Sequence, residues 1–353
     1  MKKIILTGGG TAGHVTPNIA LLPKLINSGY QIQYIGSREG MEKALIEKEG
    51  IAYAGISSGK LRRYFDLKNF TDPFRVAKGC FEARKILKNF KPDVVFSKGG
   101  FVSVPVAMAA ASLKIPVVIH ESDISVGLAN KIASKFARKI CCNFPETLKS
   151  FPENKAVLTG SPIREAMFAG SKKQGRRLTG FPEDKPVLLV IGGSLGSVVI
   201  NNTIRKALEE ILKHFQVIHI CGKGNISQSR LRTPGYLQYE YVDKELPDLF
   251  ALADIVVSRA GANTICELLA LHKPSLLIPL SGGASRGDQI LNAASFEASG
   301  YARVLLEEDM TVESLLDAIH KTYEERESLI AKMEESKRER GVEAVLRVIE
   351  EVQ

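Results

Sequence analysis

A glycine-rich turn followed directly by a histidine occupies residues 8–14, Gly-Gly-Gly-Thr-Ala-Gly-His. Gly8, Gly10 and Gly13 satisfy the G-x-G-x-x-G pattern of a dinucleotide-binding turn, in which backbone amides approach a diphosphate. His14 is not part of that pattern. The dipole at a helix N-terminus lowers the pKa of an imidazole and keeps it available as a neutral base. The residues therefore predict either a nicotinamide site or a phosphate loop beside an acid/base group, and the plainer alternative is a histidine that only caps a turn.

The nicotinamide interpretation depends on the end of the next predicted strand. A dinucleotide site needs an acidic residue there, about 20 residues beyond the glycines, to bind the ribose hydroxyls. The strand instead ends Ile35-Gly-Ser-Arg-Glu39. Arg38 would suit a 2′-phosphate, so an NADP-linked oxidoreductase is the first alternative function.

Two further turns of small residues follow predicted strands in the second half of the chain. Gly192-Gly-Ser-Leu-Gly196 opens a helix, and its amides with the Ser194 hydroxyl predict a phosphate site. The stretch from Ser258 to Glu267, SRAGANTICE, again joins a turn to a helix whose amides can meet a diphosphate. Glu267 can then reach the two hydroxyls of a ribose. It lies among apolar residues, where an unpartnered carboxylate is costly, so a functional role is favoured over a surface glutamate.

Two more polar stretches supply carboxylates and an amide. Asp288 and Gln289 follow a glycine-bearing loop and can bind sugar hydroxyls through hydrogen bonds. His120-Glu121-Ser-Asp123 ends a predicted strand of the first half and places two carboxylates at the ligand-binding edge. Neither stretch has metal-ligand spacing, so we expect no metal site and no cofactor.

Short apolar runs that end in glycine or serine alternate with helical patterns, which is typical of parallel α/β sheets. The pattern begins at Lys3–Thr7 and restarts at Val187–Ile191, which predicts two α/β units that each open with a strand, a glycine loop and a helix. The join is expected between residues 160 and 180. A long helical tail is predicted over 312–339 and a last amphipathic helix over 342–352. The glycine loops would then stand at the carboxyl ends of strands, where open α/β sheets bind ligands.

Composition is typical of a globular protein, apart from one basic region. The chain has 353 residues, of which 44% are hydrophobic and 25% charged, and its length suits two domains. Its longest apolar stretch is too short to span a bilayer, and five cysteines without C-x-x-C spacing favour a reducing compartment. Lys60–Lys91 carries ten basic and three acidic residues with interleaved aromatics. That mixture is typical of a nucleic-acid or anionic-lipid surface, or of a solvated helix face, so a non-enzymatic lipid- or nucleic-acid-binding protein is the second alternative.

Seven motifs in sequence form a more specific pattern than any one of them. In order they are GGGTAGH, KGGFVSVP, HESD followed by GLANK, TGSPIR, GGSLG, SRAGANTICE and ASRGDQILNA. Across nearly the whole chain this order resembles the MurG family, the undecaprenyldiphospho-muramoylpentapeptide β-N-acetylglucosaminyltransferases of bacterial peptidoglycan synthesis. The resemblance implies an α/β fold of the GT-B class, with two Rossmann-like domains whose parallel sheets face a central cleft. Residues 1–162 would form an acceptor and membrane-associating domain, 163–340 a UDP-N-acetylglucosamine-binding domain, and about 341–353 a helix that packs back on the first domain.

The resemblance also implies a reaction. N-acetylglucosamine would pass, with inversion, from UDP to the C4 hydroxyl of the muramoyl sugar of lipid I, giving lipid II and UDP. The enzyme would sit peripherally on the cytoplasmic face of the cell membrane, and the Lys60–Lys91 region would contact anionic lipid of the inner leaflet. Neither a nucleic acid nor a cofactor is expected.

Site residues follow from the matching motif positions. Inverting transfer needs a general base for the acceptor hydroxyl and a means of stabilising the departing diphosphate. We expect His14 to be the base and Glu121 to be the second candidate. Donor contacts carry over to Thr11, Ala12, Gly13, Arg164, Ser194, Val242, Glu267 and Gln289. The residues expected to face the lipid-linked acceptor are Gly10, Gly99, Gly100, Phe101 and Asp123.

Overall fold

The structure is a computed structural model that describes residues 1–59, 72–193, 196–282, 287–336 and 340–353. Ser194 of the predicted donor site and residues 60–71 of the basic region lie outside these ranges. The chain divides into two compact units, Met1–Arg164 with Arg338–Gln353, and Glu165–Lys337. This division falls two residues beyond the boundary expected from the sequence.

The first unit is a parallel sheet with helices on both faces. Its described strands are β1 (Lys2–Thr7), β2 (Tyr30–Ser37), β3 (Ala52–Ile56), β4 (Val94–Ser97), β5 (Val117–Glu121), β6 (Lys139–Cys142) and β7 (Ala156–Leu158). They pair in parallel in the order β3-β2-β1-β4-β5-β6-β7. Every residue of β4 and β5 is buried, as expected for central strands covered on both faces.

Helices of the first unit connect these strands and include one from the far end of the chain. They are α1 (Thr16–Asn27), α2 (Met41–Lys48), α3 (Asp72–Phe90), α4 (Ser103–Ser112), α5 (Leu128–Ala133), α6 (Pro145–Leu148) and α14 (Gly341–Glu351). The apolar stripe of α14 packs with α1 residues in one core: Val342, Val345, Val348 and Ile349 lie there with Leu25. The i, i+3 and i+4 spacing of such residues is what places them on one helix face.

The second unit repeats the architecture with its own core. Its strands are β8 (Val187–Ile191), β9 (Gln216–Ile220), β10 (Tyr236–Tyr239), β11 (Ile255–Ser258), β12 (Ser275–Leu277) and β13 (Arg303–Val304). They pair in parallel in the order β10-β9-β8-β11-β12-β13. Its helices are α7 (Lys172–Thr179), α8 (Val198–His214), α9 (Leu246–Leu252), α10 (Ala262–Ala270), α11 (Asp288–Ala298), α12 (Val312–Glu324) and α13 (Arg326–Glu335).

The prediction of a single long helix over residues 312–339 is wrong, because two helices occupy this part of the chain. The sequence pattern predicts one helix over 312–339, but the structure contains α12 and α13, which meet at Glu325. The Glu325 carboxylate accepts a hydrogen bond from the Arg303 guanidinium on β13, with 2.7 Å between Oε2 and Nε. Within the described ranges, none of the helices is both long and apolar enough to cross a bilayer.

Candidate active site

The first unit has its topological switch point between β1 and β4. The sheet order runs outward in both directions from this pair, so the loops that follow the two strands flank a crevice where α/β sheets bind ligands. These two loops touch through their backbones. Gly100 has a φ of +83°, and a Cβ on it would lie 2.3 Å from the Gly9 carbonyl oxygen. Only glycine permits both the left-handed backbone and this close approach.

His14 lies in the first of these loops, in a short 3-10 turn formed by Ala12–His14. Its Nδ1 atom is 2.9 Å from the Gly9 carbonyl oxygen and 3.2 Å from the Thr11 hydroxyl. A carbonyl oxygen only accepts hydrogen bonds, so Nδ1 carries the proton and donates it to Gly9. In the neutral ring this places the lone pair on Nε2, which is the nitrogen that a general base would use.

Glu121, the second candidate base, is buried at the end of β5 and accepts four hydrogen bonds. Oε1 accepts from the amides of Ser122 (2.9 Å) and Asp123 (3.2 Å). Oε2 accepts from the Gly127 amide and the Asn130 side chain, each at 3.0 Å. Burial raises the pKa of Glu121, and the neighbouring Asp123 charge raises it further, while these hydrogen bonds act in the opposite direction. The geometry indicates that this carboxylate holds the loop between β5 and α5.

That loop also reaches the turn after β4. A Cβ on Gly99, whose φ is +98°, would lie 3.2 Å from the Asn130 side-chain oxygen. A chain of contacts thus runs from Glu121 through Asn130 to Gly99, and the adjacent Gly100 touches the loop that bears His14. Phe101 is half-buried at the start of the same turn. The structure therefore gathers the predicted base and acceptor residues of the first unit at one edge of its sheet.

Lys98 is a residue at this edge that the sequence interpretation did not select. Its side chain is only 1% exposed, and its ammonium group donates to the Ser122 hydroxyl. Burial and the Lys98 charge hold the pKa of His120 well below its usual range. His120 is therefore neutral, and its Nε2 atom lies 2.9 Å from the Gly160 carbonyl oxygen, to which it donates. Its position directly after an apolar strand is the sequence feature that could have indicated a functional role for Lys98.

The second unit has its switch point between β8 and β11, and Arg259 ties the loops there together. Arg259 is 8% exposed and donates to the Ser197 hydroxyl at 2.7 Å. It also donates to the Ile278 and Pro279 carbonyls, both at 3.2 Å, and pairs with Glu307. Ser197 in turn caps α8 by accepting from the Ile200 amide. Arg259 stands within the SRAGANTICE motif but was not among the predicted site residues.

Four of the predicted donor residues follow four different strands, three in the second unit and one in the first. Glu267 is half-buried on α10, which begins after β11. Gln289 lies in the first turn of α11, and its side-chain oxygen accepts from the Leu280 amide at 3.0 Å. Val242 is 8% exposed and follows β10. Arg164 is half-buried at the end of the first unit. Among the described residues, no cluster of three or more His, Cys, Asp or Glu side chains is placed to hold a metal ion.

Two α/β units with parallel sheets, each with glycine-bearing loops at the carboxyl edge of its sheet, have the architecture of the GT-B class of sugar transferases. The chain matches the glycosyltransferase family 28 N-terminal domain over residues 4–142 and the family 28 C-terminal domain over residues 187–348. It resembles the crystal structure of MurG from Acinetobacter baumannii, with a TM-score of 0.80 and 26% identity over 99% of this chain and 100% of that one.

Curated relatives are closer in sequence. The chain is 60% identical over 351 residues to a protein of Lachnospira eligens, and 58% identical over 349 residues to one of Clostridium tetani. The alignments cover 99% of this chain in both cases, and 99% and 98% of the relatives. Both relatives are named UDP-N-acetylglucosamine--N-acetylmuramyl-(pentapeptide) pyrophosphoryl-undecaprenol N-acetylglucosamine transferase. The chain therefore belongs to glycosyltransferase family 28 and, within it, to the MurG family, which confirms the resemblance and the fold class predicted from the motifs.

Proposed function

We propose that this protein transfers N-acetylglucosamine from UDP-N-acetylglucosamine to lipid I, the undecaprenyl-diphosphate-linked muramoyl pentapeptide, in peptidoglycan synthesis. Full-length identity of 60% to a transferase of that name carries the proposal. The NADP-linked alternative gains no support. Arg38, its proposed 2′-phosphate ligand, pairs with Glu82 of α3, with 2.5 Å between Nη2 and Oε1.

We assign the general base to His14. Its Nε2 atom takes the proton from the C4 hydroxyl of the acceptor while that oxygen forms a bond to C1 of N-acetylglucosamine. The bond between C1 and the diphosphate oxygen breaks, and UDP leaves with the electron pair, so the configuration at C1 inverts. The Gly9 carbonyl, which accepts from Nδ1, stabilises the imidazolium that forms. Glu121 holds the β5–α5 loop in place during the reaction.

The departing diphosphate needs positive partial charge, which we assign to the donor unit. Helices α8 and α10 begin directly after its two glycine-bearing turns, and their first amides favour a bound anion. Arg164 and Ser194 add donors, Glu267 binds the ribose hydroxyls, and Gln289 binds the sugar. The Gln289 side-chain oxygen accepts from the Leu280 amide, and this hydrogen bond orients the Nε2 group that donates to substrate.

The test is release of UDP from UDP-N-acetylglucosamine in the presence of a lipid I analogue. We expect His14→Ala to lower kcat about 100-fold or more, because a positioned base contributes about that much. Binding of UDP-N-acetylglucosamine to this variant should stay normal. His214→Ala, at the exposed end of α8, is the matched control and should turn over like the unaltered protein. Near-normal turnover by His14→Ala would remove His14 from the role of base.

We also propose that α3 docks the protein on anionic lipid at the cytoplasmic face of the membrane. Phe74 and Phe81 are 78% and 75% exposed. Lys78 and Lys85 are exposed too, and the spacing of the four residues, i, i+4, i+7 and i+11, places them on one helix face. An aromatic and basic face of this kind inserts its rings at the headgroup boundary and attracts anionic headgroups.

Sedimentation with vesicles of phosphatidylglycerol and phosphatidylcholine tests this docking surface. Replacing Phe74 and Phe81 together by serine should weaken binding at every salt concentration. The pair Lys78→Glu and Lys85→Glu should weaken it mainly at low salt, by about fivefold for each lysine lost. Lys43→Glu, on the exposed side of α2, reverses a charge elsewhere in the same unit and serves as the control. Unchanged sedimentation of both altered forms would locate the lipid contact elsewhere.

A further inference from the structure

Glu42 is a buried carboxylate beneath the glycine loop of the first unit. It is the second residue of α2 and is 0% exposed. Its Oε2 atom accepts from the Gly10 amide at 3.3 Å. Its Oε1 atom accepts from the Ser37 amide at 2.9 Å and from the Ser37 hydroxyl. Each of these partners donates to the Glu42 carboxylate oxygens.

Three glycines leave the space that this side chain occupies. A Cβ on Gly9 would lie 2.5 Å from Oε1, and a Cβ on Gly40 would lie 2.2 Å from both carboxylate oxygens. A Cβ on Gly36 would lie 2.9 Å from the Glu42 Cγ atom. These glycines come from three segments, the loop after β1, the end of β2 and the turn before α2. The absence of a side chain at these three positions therefore leaves the space that the Glu42 side chain occupies.

The Gly9–Gly10 peptide group connects this carboxylate to His14. Its N–H donates to Glu42, and its C=O accepts from His14 Nδ1 at 2.9 Å. A peptide whose N–H donates to an anion has a more negative carbonyl oxygen, because successive hydrogen bonds polarise one another. We infer that Glu42 is a positioning residue for the general base, and that it acts through the Gly9–Gly10 peptide rather than by contact with substrate.

This inference rests on the proposed role of His14 as the base, and it assigns two effects to Glu42. The hydrogen bond to Gly9 fixes the ring orientation and keeps a proton on Nδ1, so that Nε2 is the nitrogen that takes up the acceptor proton. When Nε2 takes up the acceptor proton, the polarised carbonyl stabilises the new positive charge. Glu42 thus does for His14, through one peptide, what a directly bonded carboxylate does in other acid/base pairs.

Two tyrosines, Tyr34 and Tyr53, interact with the Glu42 carboxylate. Burial raises the pKa of Tyr34 and of Tyr53, and the Glu42 charge contributes to both increases, so the two phenols stay neutral. Lys98 lies beside Gly8 of the same loop, where a Cβ on Gly8 would be 3.3 Å from the Lys98 Cβ atom. The Thr11 hydroxyl also lies 3.2 Å from Nδ1.

Glu42→Gln tests the inference, with Glu47→Gln as the matched control. Glu47 lies on the same helix, is exposed and faces Lys43, so its substitution removes an equal charge without touching the loop. In the full-length protein labelled with 15N-histidine, NMR should show His14 protonated at Nδ1 in the unaltered form. In Glu42→Gln we expect the His14 titration and the acid limb of kcat to move to lower pH by about 0.5 to 1 unit, because an anion no longer favours the imidazolium. We expect kcat above this limb to fall about tenfold, since a weaker base removes part of the contribution of general base catalysis.

If the role of Glu42 is purely structural, Glu42→Gln should lower thermal stability or raise KM. Its His14 titration should then match the titration in Glu47→Gln, and that result would overturn the inference. If Glu42→Gln fails to bind UDP-N-acetylglucosamine, Glu42→Asp gives the decision. Aspartate keeps the charge but withdraws it from Gly10, so the His14 titration must still move to lower pH, and an unmoved titration again overturns the inference. The NMR titration follows the ring itself, so it stays decisive even where His14→Ala retains turnover and the role of His14 as base fails.

Discussion

Gly100→Ala is a sharp test of the contact between the two loops at the first switch point. The new methyl group meets two separate costs. A φ of +83° costs an L-residue about 1–2 kcal/mol. In addition, the Cβ would lie 2.3 Å from the Gly9 oxygen, so the loops must part by about 1 Å to reach ordinary van der Waals distance. That oxygen is the hydrogen-bond acceptor of His14, so the displacement falls on the base.

Gly29→Ala separates these two costs. Gly29 has a φ of +77° at the end of α1, and no atom lies within 4 Å of its Cβ position. Both variants should lose about 1 kcal/mol of unfolding free energy through the backbone term. Only Gly100→Ala should lose turnover, by about 100-fold, because a displacement of about 1 Å at a reacting group costs that much. Denaturant unfolding and UDP release measure the two quantities. Equal turnover by the two variants would refute the assignment of this contact to the active site.

Two further predictions concern the second unit. Burial, helped by the Arg205 charge, lowers the pKa of His219 to about 3, so the unfolded chain takes up this proton near pH 6.5 and the folded chain does not. Unfolding free energy should therefore fall as pH drops from about 6.5 towards 3, by up to about 1.4 kcal/mol per pH unit. Denaturant titrations of His219→Gln should show a smaller dependence on pH. The same pH dependence in both proteins would contradict this prediction. Arg259→Ala leaves the largely buried Glu307 carboxylate without this cation and should lower unfolding free energy by about 3 kcal/mol, with Arg259→Lys recovering only part. Unchanged unfolding of Arg259→Ala would show that the loops do not depend on it.

The central strands were predictable because parallel strands buried on both faces are continuous apolar runs. Val187–Ile191 is β8 as predicted, and Lys3–Thr7 differs from β1 by one residue. The edge strands β3, β7, β10 and β13 and the interior strand β6 were not predicted. The edge strands are short and only partly buried, so their sequences carry no distinct pattern. Pairing with a neighbour, which periodicity does not encode, is what makes them strands.

The candidate site, like the fold, could be predicted from the sequence only in part. Motif order located His14, Gly99 and Gly100, because loops at a switch point need glycine and a polar group at fixed positions. Sequence did not indicate that Glu121 accepts four hydrogen bonds, nor that Arg259 holds three segments together, because both facts depend on loops brought together by folding. Nothing in the sequence distinguishes Glu42 from the other charged residues of α2, because its burial depends on three glycines from separate segments.

Helix α14 sets the order in which the protein can be completed during synthesis. It supplies Val345 and Ile349 to the core of the first unit, yet the ribosome makes it only after the whole of Glu165–Lys337. The second unit has all of its strands and helices before the first unit has its last helix. The first unit, although translated first, is thus the unit that is completed last, because its core beside α1 lacks the α14 side chains until the end of the chain is made.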